Sequence, residues 1–144
     1  EEGILQVLPL AEKLGIHLLI EPEPELLIEN SNQFVKFIEK FNSKYLGLNF
    51  DIGHFFCVNE DPSKLILDLQ DYIKHIHLED IAYSKKHHHL IPGHGVIDFK
   101  EIFNSLKSIN YAGHVTVELY PYQDNPQDAA IESITYLKSL IENV

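Results

Sequence analysis

The sequence predicts an α/β chain whose strands run parallel and form part of a (β/α) barrel. Three observations lead there. Short apolar segments rich in β-formers alternate with amphipathic stretches of helical period along the 144 residues. No tight hairpin signal joins one strand to the next, so each connection reads as a crossover. Each strand also has one apolar face and one that turns polar towards its C-terminal end. An open doubly wound sheet meets helices on both faces and reads apolar on both.

Residues 1–14 place Ile4, Leu5, Val7, Leu8, Ala11 and Leu14 on one helical face, and Gly15 ends the helix. Pro9 falls inside that pattern and predicts a kink or a split into two turns. IHLLIE, 16–21, predicts the first strand, and PEPE follows as a stiff loop. Phe34, Phe37, Ile38, Phe41 and Tyr45 then recur at helical spacing behind Asn30 or Ser31 as a cap. Residues 46–52 predict the second strand. Asp61-Pro62 supplies a cap and a first-turn proline for a helix whose stripe is Leu65, Leu69, Tyr72 and Ile73. IKHIHLED, 73–80, predicts the third strand. A long polar loop containing KKHHHLIPGHG leads to Asp98, which has Glu101 at capping-box spacing, and Ile102, Leu106 and Ile109 form that helix's inner face. GHVTVELY, 113–120, predicts the fourth strand. Asn125-Pro126 opens a last helix carrying Ala130, Ile131, Ile134, Leu137 and Ile141.

One helix followed by four strand–helix units is half of an eight-unit TIM barrel, so residues 1–144 are expected to be a single partial domain, the second half of such a barrel. The alternative is a smaller open α/β domain. The chain contains no Met, which makes truncation the expectation, with the first four units lying upstream or a second copy covering the open edges.

Composition narrows the function classes. The chain has no Arg, and 11 Lys face 22 acidic residues, for a formal charge of −11. Such a surface repels phosphate backbones and lacks the guanidinium fork that grips phosphate and guanine, so nucleic acid is a poor partner. No apolar run approaches a membrane span, and the opening EEGILQ does not read as a signal peptide. Cys57 is the one cysteine, which points to a cytoplasmic setting.

The strand ends carry the chemistry. Because side chains alternate along a strand, Glu21 shares its face with His17, Asp51 with Asn49, His77 with His75, and Glu118 with Thr116 and His114. At a barrel mouth, Glu21, Asp51, His77 and Glu118 converge. Three carboxylates held together repel one another, and a divalent cation (Mn²⁺, Mg²⁺, Co²⁺ or Zn²⁺) relieves that repulsion. Glu23 and Glu25 read as loop charges, His87 and His88 as loop residues, and His17, His75 and His114 as inert lumen groups.

The segments LLIEP, LNFDIGH, HIHLED, HHHLIPGHGVIDF and VTVEL occur in an order and spacing that resembles the xylose isomerase-like TIM barrels. That group includes sugar and sugar-phosphate isomerases and epimerases and endonuclease IV. The resemblance covers essentially the whole chain and only the second half of a family member. It implies that Glu21, Asp51, His77 and Glu118 bind one divalent metal, and that Glu21 and Glu118 also act as the catalytic acid/base pair. It implies substrate contacts, or a further metal, at His54 and His89. Lys86, with Lys85, stands where relatives place a substrate-binding arginine, and His94 where a glutamate is common. The expected activity is isomerisation or epimerisation of a small sugar, polyol ketone or sugar phosphate. A zinc-dependent nuclease, dehydration or aldol chemistry, and a fragment inactive without its other half are the alternatives.

Overall fold

A computed structural model describes residues 1–141. Helix α1 (Glu2–Leu14) precedes strand β1 (Leu18–Ile20), α2 (Ser31–Ile38) and β2 (Leu46–Asp51). Two helices follow, α3 (Ile52–Cys57) and α4 (Pro62–Asp68), before β3 (Ile73–Leu78). The chain continues through α5 (Phe99–Ser108), β4 (Val115–Val117), a 3₁₀ turn at Tyr120–Tyr122 and α6 (Pro126–Ile141). The four strands lie in sequence order in one sheet, β1-β2-β3-β4, and every pairing is parallel.

The alternation seen in the sequence determines the layers. Leu48 and Phe50 of β2 and Ile76 and Leu78 of β3 are fully buried against Phe34, Ile66, Phe99 and Ile102 of the helices. The opposite sheet face carries Asn49, Asp51, His75 and His77, and Asp51 pairs in register with His77 across β2 and β3. Asn30 accepts from the Gln33 amide, and Asp98 from the amides of Lys100 and Glu101, so both predicted caps form. Gly15 ends α1 in the left-handed conformation, with φ 68.

Several expectations need correction. Pro9 neither splits nor ends α1, because it sits on the exposed side, where the carbonyl it leaves unpaired can meet water. Leu5, Val7 and Leu14 are exposed, and Leu8 and Ala11 form the buried contact of α1. Helix α2 stops at Ile38, so Phe41 and Tyr45 lie beyond it, and Leu69 and Ile73 fall after α4. Strands β1 and β4 form only three ladder residues each; as sheet edges they have a neighbour on one side alone. Helix α6 buries Ala129, Ser133 and Leu137, whereas Ile131, Ile134 and Ile141 are exposed. Of the predicted stripe only Leu137 faces the core, and Ala129 and Ser133 complete that face.

Helix α4 depends on its first turn. Asp61 accepts hydrogen bonds from Ser63 Oγ at 2.6 Å and from the Ser63 amide at 3.1 Å. The Ser63 hydroxyl, followed by Lys64, holds the Asp61 carboxyl down at about 2. Replacing Asp61 with Ala should destabilise the fold by about 1 kcal/mol at neutral pH. A depressed carboxyl contributes stability above its unfolded value and loses it on acidification. The gap between Asp61→Ala and the parent in urea melts should therefore persist at pH 5 and close as pH falls from near 4 towards 2.

Candidate metal centre

The site begins at the end of β2. Asp51 is its last residue, and Oδ1 accepts the His54 amide at 2.8 Å, which makes Asp51 the N-cap of α3. The D-x-x-H spacing thus has a local cause: the aspartate caps a turn whose third residue is the histidine. The remaining oxygen, Oδ2, is buried and without a hydrogen-bond partner among the described residues.

His77 faces three carboxylates. Its Nδ1 lies 2.8 Å from Glu21 Oε1, 3.3 Å from Glu118 Oε2 and 3.9 Å from Asp51 Oδ2. The four predicted ligand groups, Glu21, Asp51, His77 and Glu118, each offer one atom, and these atoms lie within 4.8 Å of one another. Asp51 is fully buried, while the side chains of Glu21 and Glu118, from the two edge strands, are 34% and 41% exposed. Asn49, on the same sheet face, donates to Glu21 Oε1 at 2.8 Å and holds it in place.

The electrostatics fit a cation-binding site. The hydrogen bond to Glu21 raises His77 above its ordinary range, against the effect of its burial. Burial opposes charge on Glu21, yet the His77 bond and charge outweigh it and leave Glu21 below its usual range. Burial pushes Asp51 up to about 6, and the Glu21 and Glu118 charges add to this. A buried carboxylate oxygen without a donor, set among one nitrogen and two open carboxylates, suits a divalent ion of borderline hardness. The residues present fit that group.

Glu79 falls at the end of the predicted third strand, and the sequence alone assigns it no role. It is fully buried, accepts the Gly53 amide at 2.6 Å and offers an oxygen within 4.8 Å of one from Asp51. Burial, followed by the Asp51 charge, drives its carboxyl well above the ordinary range. The signal available in the sequence was its position two residues past His77 in the same strand run.

The histidines divide into two sets. His54 and His89, expected at the substrate, are both buried; their Nδ1 atoms lie 2.9 Å from the Pro22 carbonyl and 3.0 Å from the Glu118 carbonyl. Burial pulls His54 down to about 4 and also lowers His89. A neutral ring that donates from Nδ1 keeps Nε2 as an acceptor. His87, read as a plain loop residue, joins them: its Nε2 is 3.1 Å from His89 Nε2, and the three rings form a second close group. His88 is exposed beside Tyr120. Lys86, expected to bind substrate, is exposed and makes no hydrogen bond or ion pair with the site among the described residues. Lys85 instead reaches Asn59 and the Phe56 ring. His94 pairs with Glu132 at the surface.

Parallel strands in sequence order, helices as crossovers and acidic groups at the C-terminal strand ends define a barrel-type α/β protein with its site at the strand tips. The chain belongs to the xylose isomerase-like TIM barrel family, which it matches over residues 1–140. It is 28% identical to an inosose dehydratase of Clostridium perfringens over 95% of its own length and 52% of the relative's. A D-tagatose 3-epimerase-like protein of known structure superposes with a TM-score of 0.84 at 30% identity, covering 98% of this chain and 52% of that one. An IolI protein with a bound zinc atom shares the fold at TM-score 0.79 and 20% identity, over 96% and 53% of the two chains. The chain therefore spans about half the length of the relatives it matches.

The loop that brings His87 and His89 to the site is tied down by Asp80. Its Oδ1 accepts the amides of Ile81 and Ile97 at 2.9 and 3.0 Å, and its Oδ2 those of Gly93 and Gly95 at 2.9 and 2.8 Å. A Cβ on Gly95 would collide with the Asp80 carboxylate. Asp80→Asn sets an NH₂ group against two of these donors and should destabilise the fold by about 3 kcal/mol. Denaturant melts would show the loss, and limited proteolysis should cut within 81–97 first.

Proposed function

We propose that the chain carries the metal-binding and proton-transfer groups of an enzyme acting on a small sugar or polyol ketone, by moving a proton at the carbon beside a carbonyl. One observation carries the reading. Of the four convergent groups, the two glutamates come from the outer strands and are open to a ligand, whereas Asp51 and His77 lie between them and deeper.

A divalent ion held by Glu21, Asp51, His77 and Glu118 would supply Lewis-acid polarisation of a substrate carbonyl. The protein's own groups do the remainder. Glu21 and Glu118 flank the opening, so a substrate carbon placed between them presents a different face to each. One carboxylate removes the C–H proton and the electron pair of that bond moves towards the carbonyl oxygen; the other carboxyl group returns a proton on the opposite face, which inverts the carbon. Asn49 keeps the Glu21 carboxylate oriented. His54, held neutral by burial with Nδ1 facing the Pro22 carbonyl, presents Nε2 as an acceptor for substrate hydroxyls, while His89 Nε2 is engaged by His87 Nε2.

Dehydration of a polyol ketone is the second reading, favoured by the inosose dehydratase relatives. It shares the first proton removal and diverges only when a neighbouring hydroxyl leaves. The acidic, arginine-free composition disfavours a nuclease role. The unpaired edges of β1 and β4, together with the exposed Leu5, Leu10, Ile131 and Ile134, suit closure of the barrel by further strands, from elsewhere in the protein or from a second copy.

Incubation with a panel of ketoses and inososes in D₂O should incorporate deuterium at the carbon next to the carbonyl. Glu118→Gln keeps the shape but loses the base, and should slow exchange by at least about 100-fold while circular dichroism stays unchanged. Retained exchange in Glu118→Gln would remove that residue from the reaction. Loss of a hydroxyl from the labelled product would select the dehydratase reading over epimerisation.

A further inference from the structure

Glu79 is fully buried and is given no part in the chemistry above, yet it touches both the ligand Asp51 and the helix that Asp51 caps. The first turn of α3 is held by two carboxyl groups. Asp51 Oδ1 accepts the His54 amide at 2.8 Å, and Glu79 Oε1 accepts the amide of the preceding residue, Gly53, at 2.6 Å. The two carboxyl groups lie close together, each offering an oxygen within 4.8 Å of the other's. Position 53 must be glycine for this to happen, because a Cβ there would run into Glu79 Oε1. Asp51 and Glu79 thus hold two successive amides of one helical turn, where β2, α3 and the residues after β3 meet.

We propose that Glu79 is a positioning residue for Asp51: by bracing Asp51 against the Gly53 amide, it fixes the oxygen that Asp51 offers to a bound divalent ion. The inference rests on the reading of Glu21, Asp51, His77 and Glu118 as a metal centre. Asp51 has only one short side-chain torsion beyond Cβ, and its Oδ1 is already occupied by the helix cap. Rotation about that torsion would swing Oδ2 away from His77 and the two glutamates. Glu79 holds the neighbouring amide of the turn that Oδ1 caps, and so opposes this rotation. His54 depends on the same brace, since its amide shares the helix turn.

The experiment measures divalent-ion affinity by competition titration and records the visible spectrum of the Co²⁺-loaded protein, which reports ligand geometry independently of turnover. Glu79→Met keeps the buried volume and removes the acceptor for the Gly53 amide. Glu79→Gln keeps that acceptor in the same shape. Glu79→Met should weaken Co²⁺ and Mn²⁺ binding by about 10–100-fold and alter the Co²⁺ spectrum, while Glu79→Gln should stay within about threefold of the parent with an unchanged spectrum. Gly53→Ala, which displaces Glu79 without removing it, should reproduce the Glu79→Met loss and carries the test if Glu79→Met does not fold. Parental affinity and spectrum in a folded Glu79→Met or Gly53→Ala protein would overturn the inference and leave the metal centre standing. A parent that takes up no divalent ion would overturn both. Two ions per chain, falling to one in Glu79→Met, would make Glu79 a ligand itself and likewise overturn the positioning role.

Discussion

Crowding of acid groups around one imidazole is the constraint on which the rest of this structure depends. Glu21, Asp51 and Glu118 point at His77 Nδ1 from three strand ends, with Glu79 close to Asp51. Without compensation, burial and mutual repulsion would drive such groups apart. The structure compensates in three ways. His77 gains a proton more readily than a free histidine does, burial and neighbouring charge raise the Asp51 and Glu79 carboxyls, and backbone amides of α3 donate to both. The polar contacts at this end of the sheet are the means by which the chain tolerates its own functional groups.

The parallel sheet makes that crowding possible. Asp51 and His77 are register partners on adjacent strands, and Glu21 and Glu118 follow the ends of the strands outside them. Parallel register brings the C-terminal ends of all four strands to one edge, so residues far apart in sequence meet there without any long-range pairing of their own. The apolar sheet face performs the complementary task. Leu48, Phe50, Ile76 and Leu78 fix the sheet against the helices, which leaves the opposite face free to be polar.

Much of this was legible in the sequence because it follows from local periodicity. The alternation His75, Ile76, His77, Leu78 placed the imidazoles on one face, and the Asp61-Pro62 and Asp98 caps marked where helices begin. What was not legible depends on distance in space. Glu79 looks like a turn residue until the Gly53 amide appears beside it, 26 positions away. His87 looks like loop filler until Asp80 ties that loop by four backbone amides and turns it back over the site. Lys86 had the right charge in the right loop, but that tether carries it outward. In α6 the period was clear and its phase was not, since apolar residues lie on both sides and only contact with α5 selects Ala129, Ser133 and Leu137.

Asp51 terminates a strand, starts a helix and contributes to a cluster of ionisable groups, all with one short side chain. Position 51 therefore has almost no mutational latitude. Glutamate would overreach the His54 amide, and serine or threonine would keep the helix start but forfeit the charge. Asparagine would keep the shape and lose half of its acceptor capacity. Selection on folding and selection on chemistry converge at this single codon, so any drift there would show up in both at once.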